Sequence, residues 1–330
     1  MNTQEWNPGQ LLELSGSYWQ TCAFHAGIKL DLFSVIGEEQ LSGDDVAARL
    51  NGDPRGITML LNALAAMNLL QKKDDKYANT GAAKTFLSKD SSEYIGYIIM
   101  HHHHLMDSWS RLDQSVTTGE PVRTGASRNE EWREHFLMGM FNLAMNLAPE
   151  ITARIDLSHR RNLLDLGGGP GTYAIHFCLK NPQLKATVYD LPTTRTFAQK
   201  TIEKFGMTDR INFMDIDYLE EHIEGVYDVA WLSHILHGEG PEDCQQIIRK
   251  AVSALEPGGL IIVHDFILDN SMDGPLFPAL FSLNMLLGTP SGQSYSEEQI
   301  KKMFTRAGVK KIERIPIETP NDSGIIAGEI

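Results

Sequence analysis

Cysteine is scarce in this chain. Its 330 residues hold three, Cys22, Cys178 and Cys244, widely spaced and without a Cys-x-x-Cys pair. That excludes a disulfide framework and a thiolate metal centre and fits a reducing, cytoplasmic setting. Long apolar runs are missing too, none reaching the roughly 20 residues needed to span a bilayer. The first residues are polar and include Glu5 in place of a basic run feeding an apolar core, so neither secretion nor membrane insertion is expected. Positive charge is in deficit: 29 basic residues face 43 acidic ones, for a formal net charge of -14, and no basic block gathers anywhere. A long interface with a phosphate backbone is therefore disfavoured, and no nucleic-acid partner is expected. Apolar residues, at 42%, are ample for substantial cores, and the length suits two domains.

From Leu11 to about Leu87 the pattern is largely helical. Trp19, Cys22, Ala23, Ala26 and Leu30 recur at three- and four-residue intervals, as one buried stripe would. A short helix from Asp44 to Leu50, a turn at Gly52-Asp53-Pro54, a helix carrying Leu60, Leu61, Leu64, Ala65 and Leu69, and a small β-wing from Lys72 to Thr80 together suggest a winged-helix unit. Arg55, Lys72, Lys73 and Lys76 would favour DNA, but their acidic surroundings and the lack of a base-reading series favour packing or dimerisation. Further helices are expected over Glu93 to Leu112 and Glu130 to Ile155, with a loop from Gly119 to Gly125.

At Asn162 the grammar changes to short apolar strands alternating with amphipathic helices, the form of a mostly parallel, doubly wound α/β sheet. Strands are expected at 162–166, 185–190, 210–214, 226–232 and 259–264, helices at 172–179, 193–205 and 242–255. Lys310 to Ile317 and Gly324 to Ile330 alternate enough to close the sheet as a late hairpin. The coarse domain boundary falls near Leu157, giving domains 1–157 and 158–330.

Leu163-Leu164-Asp165-Leu166 runs into Gly167-Gly168-Gly169-Pro170-Gly171 and then Thr172. A strand, a tight glycine turn and a helix N-terminus let a ligand approach free backbone N–H groups. Asp190 ends the next strand, where its carboxylate can accept hydrogen bonds from a ribose diol. The dinucleotide fingerprint Gly-x-Gly-x-x-Gly fits poorly, because its last position is Thr172 and Pro170 removes a loop donor. A nucleoside cofactor other than NAD or a flavin is the better reading.

The string LLDLGGGPG at 163–171, with VYDLP at 188–192, DRINFMDIDY at 209–218 and LSHILHGEGPEDC at 232–244, resembles the class I S-adenosylmethionine-dependent O-methyltransferases with an N-terminal winged-helix dimerisation domain, a family with plant phenolic, acetylserotonin-type and bacterial antibiotic-tailoring members. The resemblance covers nearly the whole chain. It implies a Rossmann-like catalytic domain behind a mainly helical winged-helix domain, a homodimer, and S-adenosylmethionine as cofactor. It puts Gly167, Gly169 and Gly171 at the methionyl part of that cofactor, Asp190 and Leu191 at the ribose and Asp217 and Tyr218 at the adenine, and counts Ser233 among the cofactor contacts. His237 falls at the family's catalytic histidine and Asp265, read as following the fifth strand, at the acid that positions it. The acceptor is expected between the sheet edge and helices from the N-terminal half and from Pro275 to Gly288, with Trp109, Phe136, Met138, Met140, Asn284 and Met285 as candidate contacts. An apolar, aromatic or polyketide-like small molecule suits such a cleft.

The family's His-Asp-Trp segment is here His237-Gly238-Glu239, so the acid beside the histidine is lost. Transfer to carbon, nitrogen or sulfur, and a noncatalytic regulatory protein built on the winged helix, stand as alternatives. His234 and His264 read as packing or supporting residues. The run His101-His102-His103-His104 is open to substrate-cleft contacts, to a structural or surface role, or to a metal held with a further ligand; it specifies no closed coordination shell, and no metal cofactor is assigned to it.

Overall fold

Capping chemistry opens the N-terminal helices of this computed structural model, which describes residues 5–123 and 130–330. Asn7 and Gln10 form a reciprocal capping box at α1 (Pro8–Gly16), with Pro8 in the first turn, where a missing N–H costs nothing. After α2 (Tyr18–Lys29) and α3 (Leu32–Ile36), Ser42 and Asp45 make a second box at α4 (Gly43–Leu50), and Asp53 caps α5 (Pro54–Ala66). Strands β1 (Leu41–Ser42), β2 (Leu70–Lys73) and β3 (Lys76–Asn79) pair in the order β1-β3-β2. Asp74 and Asp75 both take positive φ between β2 and β3, as a tight hairpin turn requires. This is the expected winged helix. Leu32, Phe33, Ile36, Val46, Leu61, Leu64 and Tyr77 form its core. α6 (Gly81–Phe86) and α7 (Gly96–Trp109) follow.

The stripe read from Trp19, Cys22, Ala23, Ala26 and Leu30 is not the buried face of α2. Trp19 is 69% and Leu30 42% exposed, Cys22 is exposed, and the helix turns His25, Gly27 and Ile28 inward. A helix that is apolar on more than one side satisfies the three-four spacing on each of them, and only packing chooses. Gly27 supplies the close approach: a methyl there would crowd Leu64 and Phe33.

Two compact units divide the chain. One runs to Met106 and takes in the stretch ending at Asn142; the other starts at Asp107 and resumes from Leu143 to Ile330. The single boundary at 157 does not coincide with this division. The long α9 (Glu130–Arg154) belongs partly to each unit: Met140 packs against the winged-helix core, while Ala148 and Ile151, with Ile155 and Leu157 just beyond the helix, join the core around Leu163 and Phe177. α8 (Leu112–Thr118) ends at Gly119 in a left-handed conformation. Gly119 to Arg123 are neither helix nor strand, and the end of the predicted loop, Thr124 and Gly125, lies outside the described residues.

The larger unit is built on β4 (Asn162–Leu166), β5 (Lys185–Asp190), β6 (Ile211–Asp215), β7 (Tyr227–Ser233), β8 (Leu255–Leu268), β9 (Tyr295–Ser296), β10 (Lys310–Ile315) and β11 (Ser323–Glu329). The order is β10-β11-β8-β7-β4-β5-β6, with β9 pairing β8. β4 to β8 pair in parallel, and β11 enters antiparallel between β8 and β10. Crossovers run through α10 (Thr172–Lys180), α11 (Arg195–Lys204) and α12 (Pro241–Ser253), with α13 (Leu276–Gly288) and α14 (Glu297–Arg306) after β8. Because β4 is flanked by β5 on one side and β7 on the other, the chain order reverses there, and the carboxyl ends of these strands border the crevice such sheets use for ligands.

The fifth strand is longer than 259–264. β11 pairs it from Leu260 to Phe266 and β9 pairs Ile267 and Leu268. Asp265 therefore does not follow the strand but lies within it, opposite Gly324.

Candidate active site

The glycine turn after β4 is bent by three left-handed residues, Gly167, Gly169 and Gly171, at φ 68°, 55° and 77°. A methyl on Gly167 would overlap Ile235, whereas the space in front of Gly169 is open. Beneath the turn lies Asp165, whose carboxyl burial pushes up to about 7; it accepts from the Ala174 N–H at the start of α10, 3.2 Å away. Asp190 faces the turn from the end of β5. Its Oδ2 accepts the Gly169 N–H at 2.8 Å, and its Oδ1 accepts the Leu191 N–H at 2.7 Å and the Thr194 hydroxyl at 3.0 Å. Burial raises its pKa, and these three donors oppose the rise. Leu191 itself is exposed.

Past β6, the exposed Asp217 accepts from the Leu219 N–H at 3.1 Å and so shapes the turn that carries Tyr218. Burial raises the Tyr218 phenol. The Glu239 carboxyl is raised by burial, Asp243 and Asp217.

His237 sits on a 3-10 turn, Leu236–Gly238, just beyond β7. The turn is pinned from both ends: the Cys244 thiol lies 3.1 Å from Leu236 O, and the Tyr295 hydroxyl donates to Glu239 O at 2.5 Å. His237 Nδ1 is 2.7 Å from Asp265 Oδ1, and its ring packs against the adjoining pair Phe266 and Phe281, at 5.6 and 4.8 Å. Phe266 N–H also donates to Asp265 Oδ1, at 2.8 Å. Burial would raise the Asp265 carboxyl, but His237 and His234 outweigh it and hold the acid well below the usual range. An ionised carboxylate only accepts, so Nδ1 of His237 carries a proton, and in the neutral ring Nε2 is the nitrogen that accepts.

Below this pair, His264 is fully buried. Its Nδ1 lies 3.1 Å from Ser233 Oγ and its Nε2 2.9 Å from Ser323 Oγ, and burial drives its pKa well below the ordinary value. Ser233 therefore contacts a neutral, doubly engaged imidazole. His234, in left-handed backbone at φ 56°, brings Nδ1 within 3.6 Å of Asp265 Oδ1. In the sequence His234 reads as a packing or supporting residue; the backbone bend that turns it toward the acid is not written in residue types.

The acceptor candidates divide between the units. Trp109, Asn284 and Met285 belong to the larger one. Asn284 and Met285 are buried on α13, and Asn284 Oδ1 accepts from Arg123 at 2.7 Å. Arg123 had no local signal. Phe136, Met138 and Met140 lie on α9 in the smaller unit, where Phe136 stacks on Trp132 and approaches His101. The histidine run is engaged as well: His104 Nε2 is 2.9 Å from His135 Nδ1.

A doubly wound sheet with a glycine turn and an acid facing each other at the switch point suits an enzyme that binds a nucleoside cofactor at the carboxyl ends of its strands. The O-methyltransferase domain model matches residues 103–310 and the O-methyltransferase dimerisation domain model residues 12–89. The chain belongs to the O-methyltransferase family. It is 30% identical to 3-hydroxy-5-methyl-1-naphthoate 3-O-methyltransferase of Streptomyces sahachiroi, over 97% of this chain and 95% of that one. It is 28% identical to the N,N-dimethyltransferase OxyT of Streptomyces rimosus, over 92% of each. A solved structure, PigF with SAH, superposes with a TM-score of 0.90 at 26% identity, covering 98% of this chain and all of that one. The protein is thus an S-adenosylmethionine-dependent methyltransferase, and a noncatalytic regulatory role is set aside. The residues present suit that cofactor. The open face at Gly169 leaves room at the backbone, and Asp190 has an unspent lone pair on Oδ2 for a hydroxyl, beyond the one taken by Gly169.

Proposed function

We propose that this protein methylates a hydroxyl of a small aromatic or polyketide-like acceptor and works as a homodimer in the cytoplasm, with His237 as the base and Asp265 as its positioning acid. The observation that carries the base role is the 2.7 Å contact between His237 Nδ1 and the buried, ionised Asp265. It fixes the tautomer with Nε2 free to accept, and the Phe266 and Phe281 rings restrain the imidazole. When bound, the cofactor supplies an electrophilic methyl group on a sulfonium. The chain's part is to align the acceptor oxygen, take its proton on Nε2, and stabilise the resulting imidazolium through Asp265.

Gly167, Gly169, Gly171, Asp190, Leu191, Asp217, Tyr218 and Ser233 are proposed to hold the cofactor. Trp109, Phe136, Met140, Asn284 and Met285 are proposed to contact the acceptor. An aromatic hydroxyl is supported by the similarity to the naphthoate 3-O-methyltransferase. The homodimer is supported by the match to a dimerisation domain. The similarity to an N,N-dimethyltransferase favours a second reading, transfer to an amine. A neutral amine attacks through its own lone pair and needs no base beforehand, so the two readings part at His237.

Single-turnover transfer from S-adenosylmethionine to a panel of naphthols, polyketide phenols and arylamines tests both. With a hydroxyl acceptor, His237→Ala should lower the rate by about 100- to 10,000-fold while binding S-adenosylhomocysteine nearly as the parent does. Transfer to an arylamine alone, at a rate His237→Ala leaves unchanged, would replace the hydroxyl reading with the amine one.

A further inference from the structure

We propose that His234, His237 and Asp265 form an inhibitory site for a divalent cation of zinc type, distinct from any resident cofactor. Each residue offers one ligand atom, and the three atoms lie within 4.8 Å of one another. The two imidazole nitrogens approach the same carboxylate oxygen, at 2.7 Å from His237 and 3.6 Å from His234. Ligand atoms around a tetrahedral zinc ion, with bonds of about 2.0–2.1 Å, stand roughly 3.3 Å apart, a value that these two separations bracket. Seating the ion requires the His237–Asp265 contact to open and His234 to close on both Asp265 and His237, within a cluster whose ligand atoms already lie inside 4.8 Å.

His234 is what makes this more than a catalytic pair. Its Nδ1 is buried and hydrogen-bonds to nothing among the described residues. Its backbone is held left-handed while its N–H donates to His264 O at 2.8 Å, and its ring is wedged against those of His264 and Phe266, each 4.5 Å away. The side chain is thereby aimed at Asp265 without being satisfied by it. A buried nitrogen that stands 3.6 Å from a carboxylate without a hydrogen bond is costly for the protein alone, and a cation of zinc type satisfies it. His264, the nearest remaining imidazole, does not join as a ligand, because both its nitrogens are already engaged by Ser233 and Ser323. The site thus has three protein ligands and an open fourth position. The His234 and His237 side chains retain 26% and 15% exposure, so the ion has a way in.

The consequence rests on His237 being the base. An ion on Nδ1 takes the place of the proton that Asp265 now accepts, and that proton is transferred through water to Nε2. Asp265 stays ionised and becomes a ligand. The metal-bound imidazole then has an N–H where it needs a lone pair, and it no longer accepts a proton from the acceptor hydroxyl. Cofactor binding, which uses the glycine turn and Asp190, is left intact.

The test uses the full chain freed of metal with a chelator and titrated with zinc chloride against a chromophoric zinc indicator. One zinc per chain should depend on His234. His234→Ala should weaken it more than about tenfold, and His234→Asn, which tolerates the left-handed backbone, should do the same with the fold preserved, as judged by unchanged S-adenosylhomocysteine binding. Zinc should abolish single-turnover transfer to a hydroxyl acceptor in the parent at concentrations that saturate this site, without displacing S-adenosylhomocysteine. Equal zinc affinity in parent, His234→Ala and His234→Asn overturns the site, whatever the transfer data. His234-dependent binding with transfer undiminished overturns the inhibition and, with it, the base role of His237, while leaving the cation site standing.

Discussion

The Gly169 amide donates to Asp190 Oδ2 at 2.8 Å, so a single carboxylate ties the glycine turn after β4 to the end of β5. Asp190 thus has a structural task as well as its proposed one at the ribose. Asp190→Ala should weaken S-adenosylhomocysteine binding by about 1.5–3 kcal/mol, from the loss of charge-assisted hydrogen bonds. Calorimetric titration of both proteins measures this, and a difference below about threefold would remove Asp190 from the cofactor site.

Gly167 and Gly169 share left-handed backbone but not surroundings, and alanine at each should fail differently. Gly167→Ala adds a methyl that overlaps Ile235 and should cost about 1–3 kcal/mol of stability in urea unfolding. Gly169→Ala meets nothing in the protein, so its stability cost should stay near the roughly 1 kcal/mol of a left-handed alanine. Its binding of S-adenosylhomocysteine should nevertheless fall more than its stability, because the methyl occupies the face proposed for the ligand.

The smaller unit should weaken in mild acid. Burial first, then His103 and His102, lower the His25 pKa from 6.5 to about 4, and His102 and His103 are themselves lowered by burial. Lys29 Nζ, 3.4 Å from His103 Nε2, adds a further cation on this face. Between those values the unfolded chain binds protons that the folded one refuses. The contribution is therefore whole above the unfolded pKa of 6.5 and is lost as pH falls toward 4. His25 alone should account for about 1–2 kcal/mol between about pH 7 and pH 5. Urea midpoints across that range should fall less steeply for His25→Leu than for the parent.

Trp6, Leu11, Leu12, Leu14, Tyr18 and Trp19 are all exposed on or beside α1 and α2. A second copy of the chain is the proposed cover. Light scattering should give twice the 36.9 kDa chain mass, and Leu12→Glu combined with Trp19→Glu should shift it toward the single-chain value. A parent protein of single-chain mass at every concentration would refute the homodimer.

The strand, glycine turn and helix at Asn162 to Lys180, the strand ending at Asp190 and the wing between Lys72 and Thr80 are legible in the sequence, because each is a local pattern. Apolar runs of strand length, glycines where the backbone turns left-handed, and capping residues at helix starts act over a few neighbours. The pairing of His237 with Asp265 was legible through family resemblance alone, since 28 residues separate them. Other features depend on partners distant in the chain. β8 runs on through Asp265 because β11 and β9 supply its hydrogen bonds. The same long-range packing leaves Trp19 exposed and turns His25 inward, although their spacing allows either face. His234 turns toward Asp265 because a left-handed residue is held between His264 and Phe266. Periodicity states which residues can share a face; burial, strand extent and the company of a charged side chain follow from what the folded chain sets against it.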